Sequence, residues 1–248
     1  MMTSSILLSE RFDVPDNVRA ELYRSSMIYG HAQPSPDELG GVLDFTDWQD
    51  EPVGISRFVG RWTLLYFGYS RCTESCTMAT PLIVAAAREL RSRGLAASAA
   101  FVDIDAPPLG ITRINVSKER PMRHGHNWEK RHAMRALAQT YGADLMVLTG
   151  NRKQLAEAGI AYHVIREHIP PRRGETGHSI NHSSMIYFIG PDMQVAGYGY
   201  HDSDIQTLTN TIMTLETAPR RAIAAGQFNR RIAGKGCAPT GLRTVSSL

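Results

Sequence analysis

The sequence predicts an α/β domain built on a central mixed β-sheet flanked by helices. Three observations point there. A continuous apolar, β-prone run, Trp62-Thr-Leu-Leu-Tyr-Phe67, is followed after a short loop by apolar residues at helical spacing. Strand and helix signals then alternate from about residue 43 to residue 215. Near the end, Met185-Ile-Tyr-Phe-Ile189 and residues 194–200 flank Gly190-Pro-Asp-Met, the pattern of an antiparallel hairpin.

Taken in order, residues 1–42 read as an N-terminal arm. They mix charges with Pro34-Ser-Pro-Asp37 and Gly40-Gly41, and their one helical candidate is 17–28. The run 62–67 has the unbroken apolar character of a strand covered on both faces, and Gly68 ends it. Ala79, Leu82, Ile83, Ala86, Ala87 and Leu90 then predict a helix that Gly94 stops. A second strand is expected over 98–104. An amphipathic helix is expected over 127–141, with Trp128, Met134 and Leu137 on its apolar side, and a short strand over 145–148. A brief helix at 153–158, an extended stretch at 161–165 and a closing helix at 205–215 complete the domain, 43–216. Two segments break the alternation: 106–126, read as an inserted loop, and 166–182, rich in Pro, Gly, Arg and His.

At 248 residues the chain is long enough for a sizeable core, and with 42% hydrophobic and 21% charged residues it reads as globular. No apolar run approaches the roughly 18 residues of a membrane-spanning helix. The first ten residues lack the basic start and apolar core of a secretory signal, so export is expected to be absent or its signal missing. A net charge of +3 is too small to argue for nucleic acid. Six Lys or Arg and no acid lie in the basic C-terminal tail, 217–248. That tail reads as a solvated segment or as a docking element for an acidic partner or membrane surface.

Of three cysteines, Cys72 and Cys76 are four residues apart and Cys237 lies in the tail, which is no disulfide framework. Two sulfurs one helical turn apart share a face and can bind one ion. The backbone N–H groups at the start of a helix favour thiolate, the form that a soft ion such as Cu(I) selects, whereas structural zinc ordinarily takes four ligands. A disulfide between the two is also geometrically possible, so metal binding and redox exchange share the same atoms. Among nine histidines, His182 is the best-placed third ligand, because it directly precedes the strand expected at 183–189. His124 and His126, an H-x-H pair, read first as surface residues and second as holders of an accessory ion. Asp103 and Asp105 either tune the thiols or cap a strand end, and Cys237 is either an inert tail thiol or a resolving one.

The stretch Gly60-Arg-Trp-Thr-Leu-Leu-Tyr-Phe-Gly-Tyr-Ser-Arg-Cys-Thr-Glu-Ser-Cys76, with Phe45-Thr-Asp before it and Asn181-His-Ser-Ser-Met-Ile-Tyr-Phe-Ile-Gly-Pro-Asp192 after it, resembles the Sco/SenC family, thioredoxin-like proteins of cytochrome oxidase assembly. The resemblance covers about 43–215. It implies a thioredoxin-like fold and a copper ion, Cu(I) or Cu(II), held by Cys72, Cys76 and His182. It also implies a cuproprotein recipient, a copper or thiol donor, and a periplasmic or membrane-associated location. The chain departs from the family pattern at Thr73 and Thr77, where proline usually follows each cysteine, at Asn181, where aspartate usually precedes the histidine, and at the 106–126 loop, and the membrane anchor typical of the family is expected to be absent. Pro81, five residues after Cys76, stands where thioredoxins commonly kink this helix. The first functional reading is therefore a copper metallochaperone. The alternative is a thiol-disulfide oxidoreductase in which Cys72 attacks and Cys76 resolves. A third is a binding module that recruits partners through its arm and tail.

Overall fold

A computed structural model describes residues 6–23, 34–72, 75–105, 125–169 and 179–220. An eight-stranded mixed sheet runs in the order β1-β10-β9-β4-β5-β6-β2-β3. Its central strand, β4 (Trp62–Gly68), is buried at every position, as its unbroken apolar run requires. It pairs in parallel with β5 (Ala97–Asp103), which pairs in parallel with β6 (Leu145–Thr149). On the other side β4 meets β9 (Met185–Ile189) antiparallel, and β9 meets β10 (Val195–Tyr200) in the expected hairpin. Phe45-Thr-Asp forms β2 (Phe45–Asp47), which pairs with β6 and with β3 (Pro52–Val53).

Helix α2 (Ser75–Ser92) covers β4 and β5 and packs on α5 (Ile205–Thr217), burying Ala79, Ile83, Ala86, Ala87 and Leu90. Pro81 lies inside it, and Gly94, at φ +86°, takes the left-handed turn that ends it. Asp204 caps α5 by accepting from the Thr207 hydroxyl and amide, bonds that lower its carboxyl pKa, and Trp62 Nε1 donates to Glu216 Oε2 at 2.8 Å. Helix α3 (Gly125–Tyr141) lies against β6, and α4 (Arg152–Ala161) begins with a capping box between Asn151 and Gln154.

Four expectations need correction. Residues 6–14, read as part of an arm, are built into the domain: β1 (Leu7–Leu8) adds to the edge of β10, and Ile6, Leu8, Phe12 and Val14 are buried. Arg11 and Arg220 both bind Asp192 and both lie over the Phe12 ring, fastening that segment and the end of the domain to the β9–β10 turn. The helix expected at 17–28 is not among these: α1 (Asp16–Tyr23) covers its described part, and residues 24–28 lie outside the described residues. Trp128 is not on the buried side of α3. It is 68% exposed and stacks on His132, while Lys130 and Met134 turn inward. Finally, the irregular segment 166–182 contains a ladder of its own, β7 (Arg166–Ile169) against β8 (Ser179–His182), and the stretch expected to be extended at 161–165 is mostly the turn that follows α4. Residues 106–124, with His124, and the tail from 221, with Cys237, lie outside the described residues. Among the described residues no helix is long and apolar enough to cross a membrane.

Candidate metal centre

Parallel pairing of β4 with β5 brings their carboxyl ends together, and antiparallel pairing of β4 with β9 brings the amino end of β9 to the same edge. The candidate residues gather along this edge. Residues 69–72 leave β4 in a tight turn closed by the Cys72 N–H donating to Tyr69 O at 2.8 Å, which leaves Cys72 half-buried just ahead of α2. Cys76 lies in the first turn of α2, and its side chain is outside the described residues, as is that of His126 at the start of α3.

His182 ends β8 rather than opening the next strand, and its backbone is fixed by pairing with Arg166. The following amide, Ser183 N–H, donates to Ile165 O at 3.0 Å. The ring packs edge-on to Tyr66, with centroids 5.8 Å apart, and Nδ1 lies 2.9 Å from Ser183 O. A carbonyl only accepts, so Nδ1 carries the proton and Nε2 keeps the lone pair, the arrangement typical of a ligating histidine. Burial lowers the pKa of this ring below the ordinary 6.5, while the bond to Ser183 O and negative charge at Cys72 and Asp103 act against it. Among the described residues no three His, Cys, Asp or Glu side chains are already arranged around a common metal position.

Because the folded ring is harder to protonate than the unfolded one, stability is complete above pH 6.5 and declines below it, as the unfolded chain takes up a proton that the native state refuses. Wild type should therefore lose up to about 1.4 kcal/mol per pH unit more than His182→Asn between the unfolded and folded pKa values. Urea midpoints at pH 7.5 and 5.5 measure this, and parallel curves for the two proteins would refute it.

The spacing rules missed the support beneath the cysteine turn. Asp103, fully buried at the end of β5, accepts from Ser70 N at 2.9 Å and from Asp105 N at 2.7 Å, so the strand-capping role foreseen for it is real. Arg71, the residue before Cys72, donates through Nη2 to the buried Asp105 carboxylate at 2.7 Å and through Nη1 to Glu129 of α3 at 2.5 Å. Its guanidinium lies 5.3 Å from the centre of the Tyr69 ring, whose phenol burial pushes up to about 12. Lys130 Nζ donates to Asp105 O and to Thr149 Oγ1, both at 2.7 Å, and stands 3.5 Å from Asp103 Oδ1. The turn carrying Cys72 is thus tied to β5, β6 and α3 by a buried set of charges. The only sequence signal for this was the Asp103-Ile-Asp105 pair.

A dithiol motif opening the helix after a central strand, in a mixed sheet with this order, defines a thioredoxin-like protein. The copper-bound structure of ScoI from Arabidopsis thaliana superposes with a TM-score of 0.56 at 17% identity, over 72% of this chain and 98% of that one. Copper-bound yeast Sco1 superposes at 0.55 and 17% identity, over 78% and 93%. A model of the SCO1/SenC family matches residues 31–107 and 129–216, and the chain belongs to that family. The unmatched stretch, 108–128, falls almost wholly within the loop read as an insertion. The human mitochondrial SCO2 homolog is 26% identical over 156 residues, 62% of this chain, and the chain spans about half (51%) of that relative's length.

Proposed function

We propose that this protein is a copper metallochaperone that holds one ion on Cys72, Cys76 and His182 and passes it to a cuproprotein such as cytochrome oxidase. The observation that carries this reading is the packing of the His182 ring 5.8 Å from Tyr66, near the end of β4, from which the turn carrying half-buried Cys72 leads into the helix of Cys76. Copper is the ion bound in the Arabidopsis and yeast structures of the same fold. The donor set suits it: two thiolates satisfy Cu(I), and an imidazole adds a donor that also accommodates Cu(II).

Each part of the site has a separate role in such a transfer. The Arg71–Asp105–Lys130 network holds the Cys72 turn so that the sulfur need not be positioned anew when metal arrives. The partial exposure of Cys72 gives an incoming thiolate of the recipient a line of attack, so that ligands exchange one at a time and the ion is never released to water. The low proton affinity of His182 keeps that ligand available well into mildly acidic conditions. Anaerobic titration of reduced protein with Cu(I) against a chromophoric chelator should give one tightly held equivalent. Protein that retains no copper, yet forms a trapped mixed disulfide as Cys76→Ser, would replace this reading with the oxidoreductase one.

A further inference from the structure

One histidine at the same sheet edge has no part in that ligand set. In the register of the central strands, Tyr66 of β4 stands opposite Ile186 of β9, and Met185 of β9 stands opposite Tyr200 of β10. The carboxyl end of β10 therefore lies on the edge from which residues 69–72 depart and to which His182 delivers its ring. The next residue is His201. Its backbone is fixed by a turn in which Ser203 N–H donates to Tyr200 O at 3.0 Å, followed at once by the Asp204 cap of α5.

His201 is only partly exposed, and its Nδ1 is buried without a hydrogen-bond partner. A buried polar atom left unpaired forfeits its hydration without recompense, so such atoms are rare in folded proteins and call for a role. Tyr200, which precedes His201, pairs with Met185, three residues after His182, so the two histidines leave neighbouring strand ends.

We propose that His201 is a second imidazole ligand, taken up when the bound ion is Cu(II) and left aside when it is Cu(I). The inference rests on the copper reading above. Two thiolates and the His182 imidazole suffice for Cu(I), whereas Cu(II) favours four donors in a tetragonal plane, which Cys72, Cys76, His182 and His201 supply as two sulfurs and two nitrogens. The buried Nδ1 of His201 has no hydrogen bond to break when the ring binds an ion.

The test is pulsed electron paramagnetic resonance of reduced protein loaded with one equivalent of Cu(II), counting coupled imidazoles, alongside Cu(I) affinity of the same samples. Wild type should show two imidazoles and His201→Gln one. Cu(II) affinity should fall at least about tenfold and Cu(I) affinity change less than about twofold. One imidazole in wild type, an identical spectrum for His201→Gln, or an equal loss of Cu(I) affinity in that variant would overturn the inference. Wild type that binds Cu(I) but fails these tests leaves the copper reading standing, whereas wild type that binds neither ion brings down both.

Discussion

Replacing Cys72 and Cys76 together by serine is expected to lower Cu(I) affinity by more than about a thousandfold, because a hydroxyl is not a soft donor and cannot stand in for a thiolate at neutral pH. His182→Ala should cost much less for Cu(I), since two sulfurs still hold the ion, and more for Cu(II). The order of the variants matters as much as the size of the loss. A chain that kept its copper after both thiols were removed would place the ion elsewhere, and His124 and His126 would become the residues to test. The serine variant should keep the unfolding midpoint of the wild-type apoprotein within a few tenths of a molar in urea, since Cys72 is only half-buried.

The largest effect on stability is expected from Asp103→Ala. The Asp103 carboxylate has no exposure and sits 3.5 Å from the Lys130 ammonium, whose side chain is itself only 9% exposed. Removing it leaves a buried cation short of its countercharge and strips the acceptor from the Ser70 and Asp105 amides. Breaking a buried pair in this way costs about 3–5 kcal/mol. Asp103→Asn, which keeps an acceptor but no charge, should cost less. Adding Lys130→Met to Asp103→Ala should recover at least about 1 kcal/mol, because the orphaned charge leaves with it. Equilibrium urea unfolding of wild type, Asp103→Ala, Asp103→Asn, Lys130→Met and the double variant reads these differences directly. Additive losses from the two substitutions would mean that the pair is not coupled. Because Ser70 and Arg71 lead into Cys72, copper retention should weaken along with stability in Asp103→Ala, even though no ligand has been touched.

Much of this architecture is written in local pattern. The strands β4, β5, β6, β9 and β10 and the helices α2 and α5 were legible to within two or three residues, since each pairs an apolar run or a helical period with a Gly, Pro or Asp signal at its boundary. The thiol pair at the head of α2 was equally legible. What escaped depends on partners distant in the chain. The two-residue strand β1 exists because Gly197 leaves room for the Leu7 backbone, where a side-chain carbon would lie 2.5 Å from Leu7 O, and because Asp192 fastens Arg11 and Arg220 from opposite ends of the domain. The β7–β8 ladder is polar and short, with no period to betray it. On α3 hydrophobicity favoured Trp128 for the interior. The position went to Lys130, whose partners lie at the end of β5 and in Thr149, beyond any helical spacing rule. Arg71 and His201 likewise acquire meaning only once the sheet has brought its strand ends together.

Copper X-ray absorption on protein loaded anaerobically with one equivalent of Cu(I), as wild type and as His182→Ala, addresses the ligand set most directly. A first coordination shell dominated by two sulfurs, with a nitrogen contribution in wild type that vanishes in the variant, is the predicted result. A shell of nitrogen and oxygen alone, or one that His182→Ala leaves unchanged, would contradict it.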